Sequence, residues 1–198
     1  MKSFIFTLML LISSAAFANS TTEIFFTEIP DHEYSLYTEE SHPQLYCLAL
    51  NIYHEARSDN MAGQYAVADV VLNRVIDARF PLNQTEIEKP TVCDIVHDAV
   101  YTESGHPKRN RCQFSWYCDG KKDDPAMSKS WHTAQIIAYQ ILQLDYMRGI
   151  TEGANHYHAT YVAPDWSLDV WNHIYQPIGR IGDHLFYRWI FIKKVEST

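Results

Sequence analysis

Long apolar runs are absent from the sequence beyond residue 12, so no later segment is expected to cross a bilayer as a helix. Basic side chains are also few. Sixteen lysines and arginines stand against 24 aspartates and glutamates, and the formal net charge is −8. An acidic chain is a poor partner for nucleic acid or anionic lipid. There is no internal repeat or low-complexity segment, and 198 residues suit a single domain with one core.

The first 18 residues have the pattern of a secretory signal peptide. Lys2 is followed by an apolar run over residues 4–12 and by an Ala-x-Ala cleavage site at residues 16–18. The run is too short for a membrane span, and the absence of a cysteine after the site argues against a lipoprotein. Removing Lys2 takes the net charge from −8 to −9. We therefore expect an exported protein, periplasmic or secreted, with an arm or linker over residues 19–42 and one domain over residues 43–198.

Cysteine is scarce, but all four residues fall after the predicted cleavage site. An even number in an exported chain predicts one or two disulfides. Three complete pairings are possible and the spacing does not choose among them, while buried free thiols are the alternative. There is no Cys-x-x-Cys spacing, so a zinc site is not favoured. The four are Cys47, Cys93, Cys112 and Cys118.

Two helices joined by a short polar turn are predicted over residues 43–78. In the first, which opens at Pro43, apolar side chains recur at helical spacing and mark one buried face. Glu55 continues that face at the C-terminal end, where it loses water and faces the negative end of the helix dipole. Both effects raise the pKa of a carboxyl group, as general-acid catalysis near neutral pH requires. A structural ion pair of Glu55 with Arg57 or Arg74 is the alternative.

The second helix should be the central buried one. Asn60 is a favourable N-cap, and apolar residues cover most of the circumference as far as about Ala78. Asn73 and Arg74 are polar side chains in this apolar context, and buried polar groups need partners. We expect these two side chains to brace the loop that carries Glu55.

Two further helices are predicted downstream. Thr91 caps one over residues 92–102, and a polar, basic loop follows over residues 104–111. An amphipathic helix, which we interpret as scaffold, covers residues 128–147.

Strands are expected only near the end of the chain. Residues 155–159 alternate, and one or two strands follow over residues 178–192. Two antiparallel strands beside a helical bundle are the simplest assembly. The predicted fold class is therefore α+β, mainly helical, with a small antiparallel β element. On the first strand, His156 and His158 should face one way and Asn155, Tyr157 and Ala159 the other.

Residues 112–120 mix aromatic and hydrogen-bonding side chains and end in the turn signal Asp-Gly. Gln113, Ser115 and Trp116 supply the groups that a sugar site uses, since a ring stacks on C–H faces and amides or hydroxyls bond the sugar hydroxyls. A structural hairpin closed by a disulfide is the alternative.

Six separated motifs follow one another along the chain: NIYHEAR at 51–57, GQYAVA at 63–68, VLNR at 71–74, QFSW at 113–116, the segment 154–166 and IGDHLFY at 181–187. Together they resemble those of the SleB-type cell wall hydrolase family, which includes the spore cortex-lytic enzymes. The similarity extends over about residues 44–190. It implies a single domain with a lysozyme-like, lytic-transglycosylase-related fold, a peptidoglycan substrate and Glu55 as the catalytic glutamate.

The expected reaction is a lytic transglycosylation between N-acetylmuramic acid and N-acetylglucosamine. Glu55 protonates the glycosidic oxygen, then takes a proton from the C6 hydroxyl as it closes on C1, leaving a 1,6-anhydro end. One carboxyl group suffices, and no second acid stands out near Glu55. A second carboxylate about 5–10 Å away would favour hydrolysis instead. The acids to consider are Asp59, Asp119, Asp165 and Asp183, and the expected substrate-binding residues are Gln113, Ser115, Trp116, Tyr157, His158, Trp166 and His184.

Two other functions compete with this one. His156, His158 and His184 could bind zinc in an N-acetylmuramoyl-L-alanine amidase, although Ser58 replaces the second histidine of an HExxH pair. A non-catalytic peptidoglycan-binding protein is the other alternative. We expect a monomer that acts on peptidoglycan glycan strands without a metal or other cofactor.

Overall fold

The computed structural model describes residues 36–168 and 174–190. The predicted signal peptide and the predicted arm up to residue 35 lie outside these ranges. The mainly helical α+β architecture is confirmed. The α-helices are α1 (Pro43–Ala56), α2 (Met61–Ile76), α3 (Val92–Val96) and α4 (Lys129–Leu144). The strands are β1 (Ala99–Tyr101), β2 (Pro107–Cys112), β3 (His156–Ala159), β4 (Tyr175–Ile181) and β5 (His184–Trp189), with short 3-10 helices at Ser115–Cys118 and Asp165–Ser167.

Helix α1 lies at the centre of the main core, packed against α2, α3 and α4. Its apolar face, including Leu48 and Ile52, is fully buried, and each such side chain contributes about 1.5–3 kcal/mol. Pro43 occupies the first turn, where its missing N–H costs nothing. The helix ends at Ala56, so Glu55 lies in its last turn, as the spacing predicted.

Local capping chemistry sets the starts of the other helices. Asn60 accepts a hydrogen bond from the Gly63 N–H at 2.9 Å, and Ser128 accepts one from the Trp131 N–H at 3.3 Å. Thr91 and Asp94 form a capping box at the start of α3. The predicted N-caps of α2 and α3 are therefore confirmed.

The prediction of a third helix over residues 92–102 is wrong beyond α3. The chain leaves the helix after Val96, and β1 pairs with β2 in an antiparallel hairpin. Asp98, which lies between α3 and β1, accepts hydrogen bonds from the backbone N–H groups of Leu82 and Asn83. The predicted loop over residues 104–111 contains most of β2. The backbone pairing of β1 with β2 overrode the local helical pattern here.

The second sheet has three strands in the antiparallel order β3-β5-β4, not the two strands of the simplest prediction. One face of this sheet lies against α2, where Phe186 packs with Ala66 and Val70. The other face carries an aromatic cluster of His156, His158, Trp166, Tyr175, Tyr187 and Trp189.

Both disulfides are formed, so the free-thiol alternative is wrong. Cys47–Cys93 ties α1 to α3, and Cys112–Cys118 closes a loop that contains the first 3-10 helix. The structural hairpin that was the alternative for residues 112–120 is instead a short helical turn, although the disulfide that would close it is formed. Within the described residues, no helix is long and apolar enough to cross a membrane.

Candidate active site

Glu55 meets Tyr157 where the end of α1 faces strand β3. The Tyr157 hydroxyl donates a hydrogen bond to Oε2 of Glu55 at 3.1 Å. Both side chains are half-buried. Loss of water raises the pKa of Glu55, while the hydrogen bond from Tyr157 and the positive charge of Arg74 oppose that rise. Burial and the nearby carboxyl group raise the pKa of Tyr157 well above its ordinary value, so its hydroxyl stays protonated and donates.

The ion-pair alternative for Glu55 is not what the structure contains. In the two described ranges, neither Arg57 nor Arg74 forms a salt bridge with Glu55. The Arg57 guanidinium lies over the Tyr53 ring, 5.0 Å from its centroid. Glu55 is therefore held by a neutral hydroxyl group and not by an ion pair with either arginine.

Asn73 and Arg74 do not brace the loop after Glu55, contrary to the prediction. The Asn73 amide donates to the Ala154 carbonyl at 2.8 Å, and Nε of Arg74 donates to the Asn155 carbonyl at 2.8 Å. Both bonds hold the segment that leads into β3 and so position Tyr157. The spacing identified buried polar groups that need partners, but their partners lie about 80 residues further along the chain.

Asp59 and His184 join the turn after α1 to the start of β5. His184 Nδ1 donates to Oδ2 of Asp59 at 3.1 Å, and the side chains are only 8% and 3% exposed. The same carboxylate accepts hydrogen bonds from the Asn60 and Asp183 N–H groups. The His184 ring meets Tyr157 edge-on at 5.2 Å. This contact makes His184 a support for Tyr157.

Two glycines leave room for the Asp59 carboxylate. A Cβ atom at either Gly63 in α2 or Gly182 in the β4–β5 turn would collide with it. Gly182 also has φ of +58°, a conformation that L side chains rarely adopt.

Strand alternation separates the predicted site residues into two groups. Tyr157 faces His184 and Phe186. His158 faces Tyr187 and accepts a hydrogen bond from the Tyr187 hydroxyl at 3.0 Å. Trp166 packs against His158 at 5.6 Å, on the same side of the sheet. The structure therefore brings Tyr157 to Glu55, with His184 beside Tyr157, and places His158 and Trp166 on the opposite face.

Trp116 is buried beside α1 with only 7% of its surface exposed. Its indole N–H donates to the Asn51 side chain at 3.1 Å, and its ring stacks on His54 at 4.5 Å. These contacts are with the protein itself, so its expected role as a sugar-stacking wall stays a prediction. Gln113 is half-buried and Ser115 is exposed, next to this contact.

Sequence reasoning missed two polar residues around the site. Asn51 is fully buried one helical turn before Glu55, and its side chain lies against the Tyr157 hydroxyl. Asp69 is also fully buried, and it accepts hydrogen bonds from the side chain of Arg148 and from the backbone and hydroxyl of Thr151. An acid in the apolar pattern of α2 was the available signal for Asp69. Its network fixes the loop before β3.

The histidines considered as zinc ligands are divided between the two faces of the sheet. His156 Nδ1 donates to the Asn155 side chain at 2.9 Å and His158 bonds Tyr187, while His184 bonds Asp59 on the other side. Among the described residues, no group of three or more histidine, cysteine or acidic side chains is arranged to hold a metal ion.

Comparisons with known proteins agree with the predicted family. A family model described as cell wall hydrolase matches residues 58–187, about two thirds of the chain. The matched segment begins after Glu55 and includes Tyr157 and His184. No curated protein sequence matches the chain.

Two solved structures resemble it. The catalytic domain of the germination-specific lytic transglycosylase SleB from Bacillus anthracis is 22% identical, with a TM-score of 0.48 over 81% of this chain and 100% of that one. The catalytic domain of the Bacillus cereus SleB protein is 27% identical, with a TM-score of 0.47 over 75% of this chain and 91% of that one.

Proposed function

Because this chain belongs to the cell wall hydrolase family, we propose that it cuts peptidoglycan between N-acetylmuramic acid and N-acetylglucosamine as a lytic transglycosylase, with Glu55 as the acid and base. The observation that carries this proposal is the hydrogen bond from Tyr157 to a half-buried Glu55. A carboxyl group with a raised pKa retains its proton at higher pH than an exposed one. It can then deliver that proton to a glycosidic oxygen.

In the first step, protonated Glu55 gives its proton to the bridging oxygen as the bond from C1 of the muramic acid to that oxygen breaks. Positive charge develops at C1 and the ring oxygen. In the second step, the C6 hydroxyl of the same sugar bonds to C1 and its proton returns to the Glu55 carboxylate. The products are a 1,6-anhydro end and a new free hydroxyl on the leaving sugar, and no water is consumed.

The arrangement of Asp59 supports this route over hydrolysis. A hydrolytic mechanism needs a second carboxylate, to activate water or to attack the sugar. The Asp59 carboxylate is almost fully buried and bonded to His184, Asn60 and Asp183, so its oxygens are committed to the protein. A mechanism in which one carboxyl group first donates a proton and then recovers one matches this site.

Tyr157 has a positioning role in this proposal. Its hydroxyl holds Oε2 of Glu55 and leaves the other oxygen for the proton that is transferred. Gln113 and Ser115 are the proposed contacts for the sugar hydroxyls and the acetamido group, since the 3-10 turn that follows Gln113 packs on α1 through Trp116.

Mass spectrometry of the muropeptides released from purified peptidoglycan tests the reaction. Anhydro-muramic products support transglycosylation, reducing muramic ends indicate hydrolysis, and free stem peptides indicate an amidase. Glu55→Gln should abolish release while the circular dichroism spectrum is unchanged. The matched control Glu103→Gln, in the exposed β1–β2 turn, should retain activity.

We further propose that the protein works outside the cytoplasm. Its two disulfides fit an oxidising compartment, as does a wall substrate. Fractionation of the cells that produce it tests this proposal, and recovery of the full-length chain in the cytoplasm alone would contradict it.

A further inference from the structure

We propose that Arg74 is a positioning residue for the reaction, which supplies a fixed positive charge that stabilises Glu55 as a carboxylate once its proton has been transferred. This inference rests on the proposed role of Glu55. It concerns a side chain of α2 that bonds the residue just before β3 and has no salt bridge to Glu55 in the described ranges.

Arg74 is held deep in the protein with only 4% of its surface exposed. Its guanidinium lies 5.2 Å from the ring centroid of Phe80 and 5.0 Å from that of Phe114. Nε donates to the Asn155 carbonyl, two residues before Tyr157. Within the described residues, Nη1 is buried without a hydrogen-bond partner. The two aromatic rings and one carbonyl group thus hold the Arg74 guanidinium in place without neutralising its positive charge.

A buried guanidinium keeps its charge because it does not deprotonate in proteins. Such a charge is costly unless an anion compensates it. The acids that interact with Arg74 are Glu55 and Asp98. Asp98 accepts hydrogen bonds from the Leu82 and Asn83 N–H groups, and burial raises its pKa. Of the two acids, Glu55 is the one that Tyr157 contacts and that exchanges a proton in the proposed reaction.

Two further titratable side chains in this surrounding, His156 and Tyr157, carry no charge that changes where Glu55 titrates. Burial, together with Arg74 and Arg79, lowers the pKa of His156 to about 3, so that ring is neutral where Glu55 titrates. The pKa of Tyr157 lies well above its ordinary value. The balance at Glu55 is therefore between loss of water, which favours the protonated acid, and the Tyr157 hydrogen bond together with the Arg74 charge, which favour the carboxylate.

This balance has a chemical use. Burial alone would give a weak acid that holds its proton too firmly to donate it readily. A nearby fixed cation lowers the cost of the carboxylate that exists between the two proton transfers. Because the same arginine also holds the backbone before Tyr157, one side chain sets both the charge around Glu55 and the position of its hydrogen-bond donor.

The test is the pH dependence of the initial rate of muropeptide release from purified peptidoglycan at limiting substrate. Activity falls as Glu55 loses its proton, so the alkaline limb of the pH–rate profile reports the pKa of Glu55. Arg74→Gln removes the charge but keeps an amide donor for the Asn155 carbonyl. It should lower the maximal rate and move the alkaline limb up by about one pH unit. Arg74→Lys keeps the charge and should leave the limb near its wild-type position.

Arg79→Met is the matched control, since the Arg79 guanidinium also lies over an aromatic ring, that of Trp189 at 4.4 Å. The alkaline limb of the Arg79→Met pH–rate profile should stay at its wild-type position. Arg74→Met is the second neutral variant if glutamine at this position prevents folding, as judged by circular dichroism.

The inference is overturned if Arg74→Gln leaves the limb in place, or if Arg74→Lys moves it as far as Arg74→Gln does. Retained cleavage by Glu55→Gln would instead overturn the proposed function itself. Loss of cleavage by Glu55→Gln combined with an unmoved limb in the Arg74 variants overturns only the role of Arg74.

Discussion

The Tyr157 hydroxyl contacts Oε2 of Glu55 at 3.1 Å, although the two residues are separated by 102 positions in the chain. The end of the first helix and a strand near the end of the domain thus form one site. Everything that holds this strand in place, from Asn73 and Arg74 to the Asp59–His184 pair, also determines how Glu55 is presented.

Replacing Tyr157 by phenylalanine should lower turnover without unfolding the protein. The change removes a hydrogen bond to a group that becomes charged, and such bonds contribute about 1.5–3 kcal/mol. We expect turnover to fall by roughly 10- to 100-fold, with a smaller change in the substrate concentration that gives half-maximal rate. Release of anhydro-muropeptides measures the first quantity and thermal melting measures folding. Full activity in Tyr157→Phe would remove Tyr157 from the mechanism.

Glu55→Gln should make the protein relatively more stable as the pH rises. The pKa of Glu55 is raised in the folded state, so the folded chain binds this proton more tightly than the unfolded chain, in which the value is about 4.3. That contribution is fully present below about pH 4 and is lost as the pH rises through the raised pKa. Glutamine carries no titrating proton and avoids the loss.

The measurement is the difference in melting temperature between Glu55→Gln and the wild type across this pH range. The melting temperature of Glu55→Gln relative to that of the wild type should be higher at neutral pH than at pH 4. For the exposed Glu103→Gln, the same difference in melting temperature should not change with pH. A difference that does not change with pH for Glu55→Gln would contradict the buried environment of its carboxyl group.

Gly182→Ala should destabilise the protein more than Gly105→Ala. Both glycines have positive φ, at +58° and +81°, so alanine is strained at each by about 1 kcal/mol. At Gly182 the added Cβ would also collide with Asp59, whereas nothing lies within 4 Å at Gly105. We expect an additional loss of about 1–3 kcal/mol at Gly182, measured by urea unfolding, together with reduced cleavage. Equal losses at the two positions would show that the Asp59 contact is unimportant.

The two disulfides should contribute unequally to the free energy of unfolding. Cys47–Cys93 spans 46 positions and Cys112–Cys118 spans 6. Loop-closure entropy predicts about 4 kcal/mol for the long loop and about 2 kcal/mol for the short one. Paired Cys→Ala substitutions, each followed by urea unfolding, compare them. A larger loss at the short loop would indicate that Cys112–Cys118 acts mainly on the folded state around Trp116.

Local features of this protein followed from its sequence because their physical causes lie within a few residues. Helical spacing predicted α1 and the position of Glu55 in its last turn, and Asn60 and Thr91 cap helices through bonds to residues three positions later. Strand alternation predicted that Tyr157 and His158 point to opposite faces, which the ring contacts confirm. The motifs predicted the family, which the family model confirms.

Tertiary structure alone decided which residues meet. The partners of Asn73 and Arg74 and the pairing of β3 with β5 join distant segments, which no local pattern specifies. The β1–β2 and β4–β5 hairpins join neighbouring segments, but the helical pattern obscured the first and the spacing left the number of strands open in the second. Packing of the chain also decided that Tyr157 is the neighbour of Glu55 and that His158 and Trp166 lie away from Glu55. Spacing sets which face of an element a side chain occupies, but only packing of the complete chain sets what that face contacts.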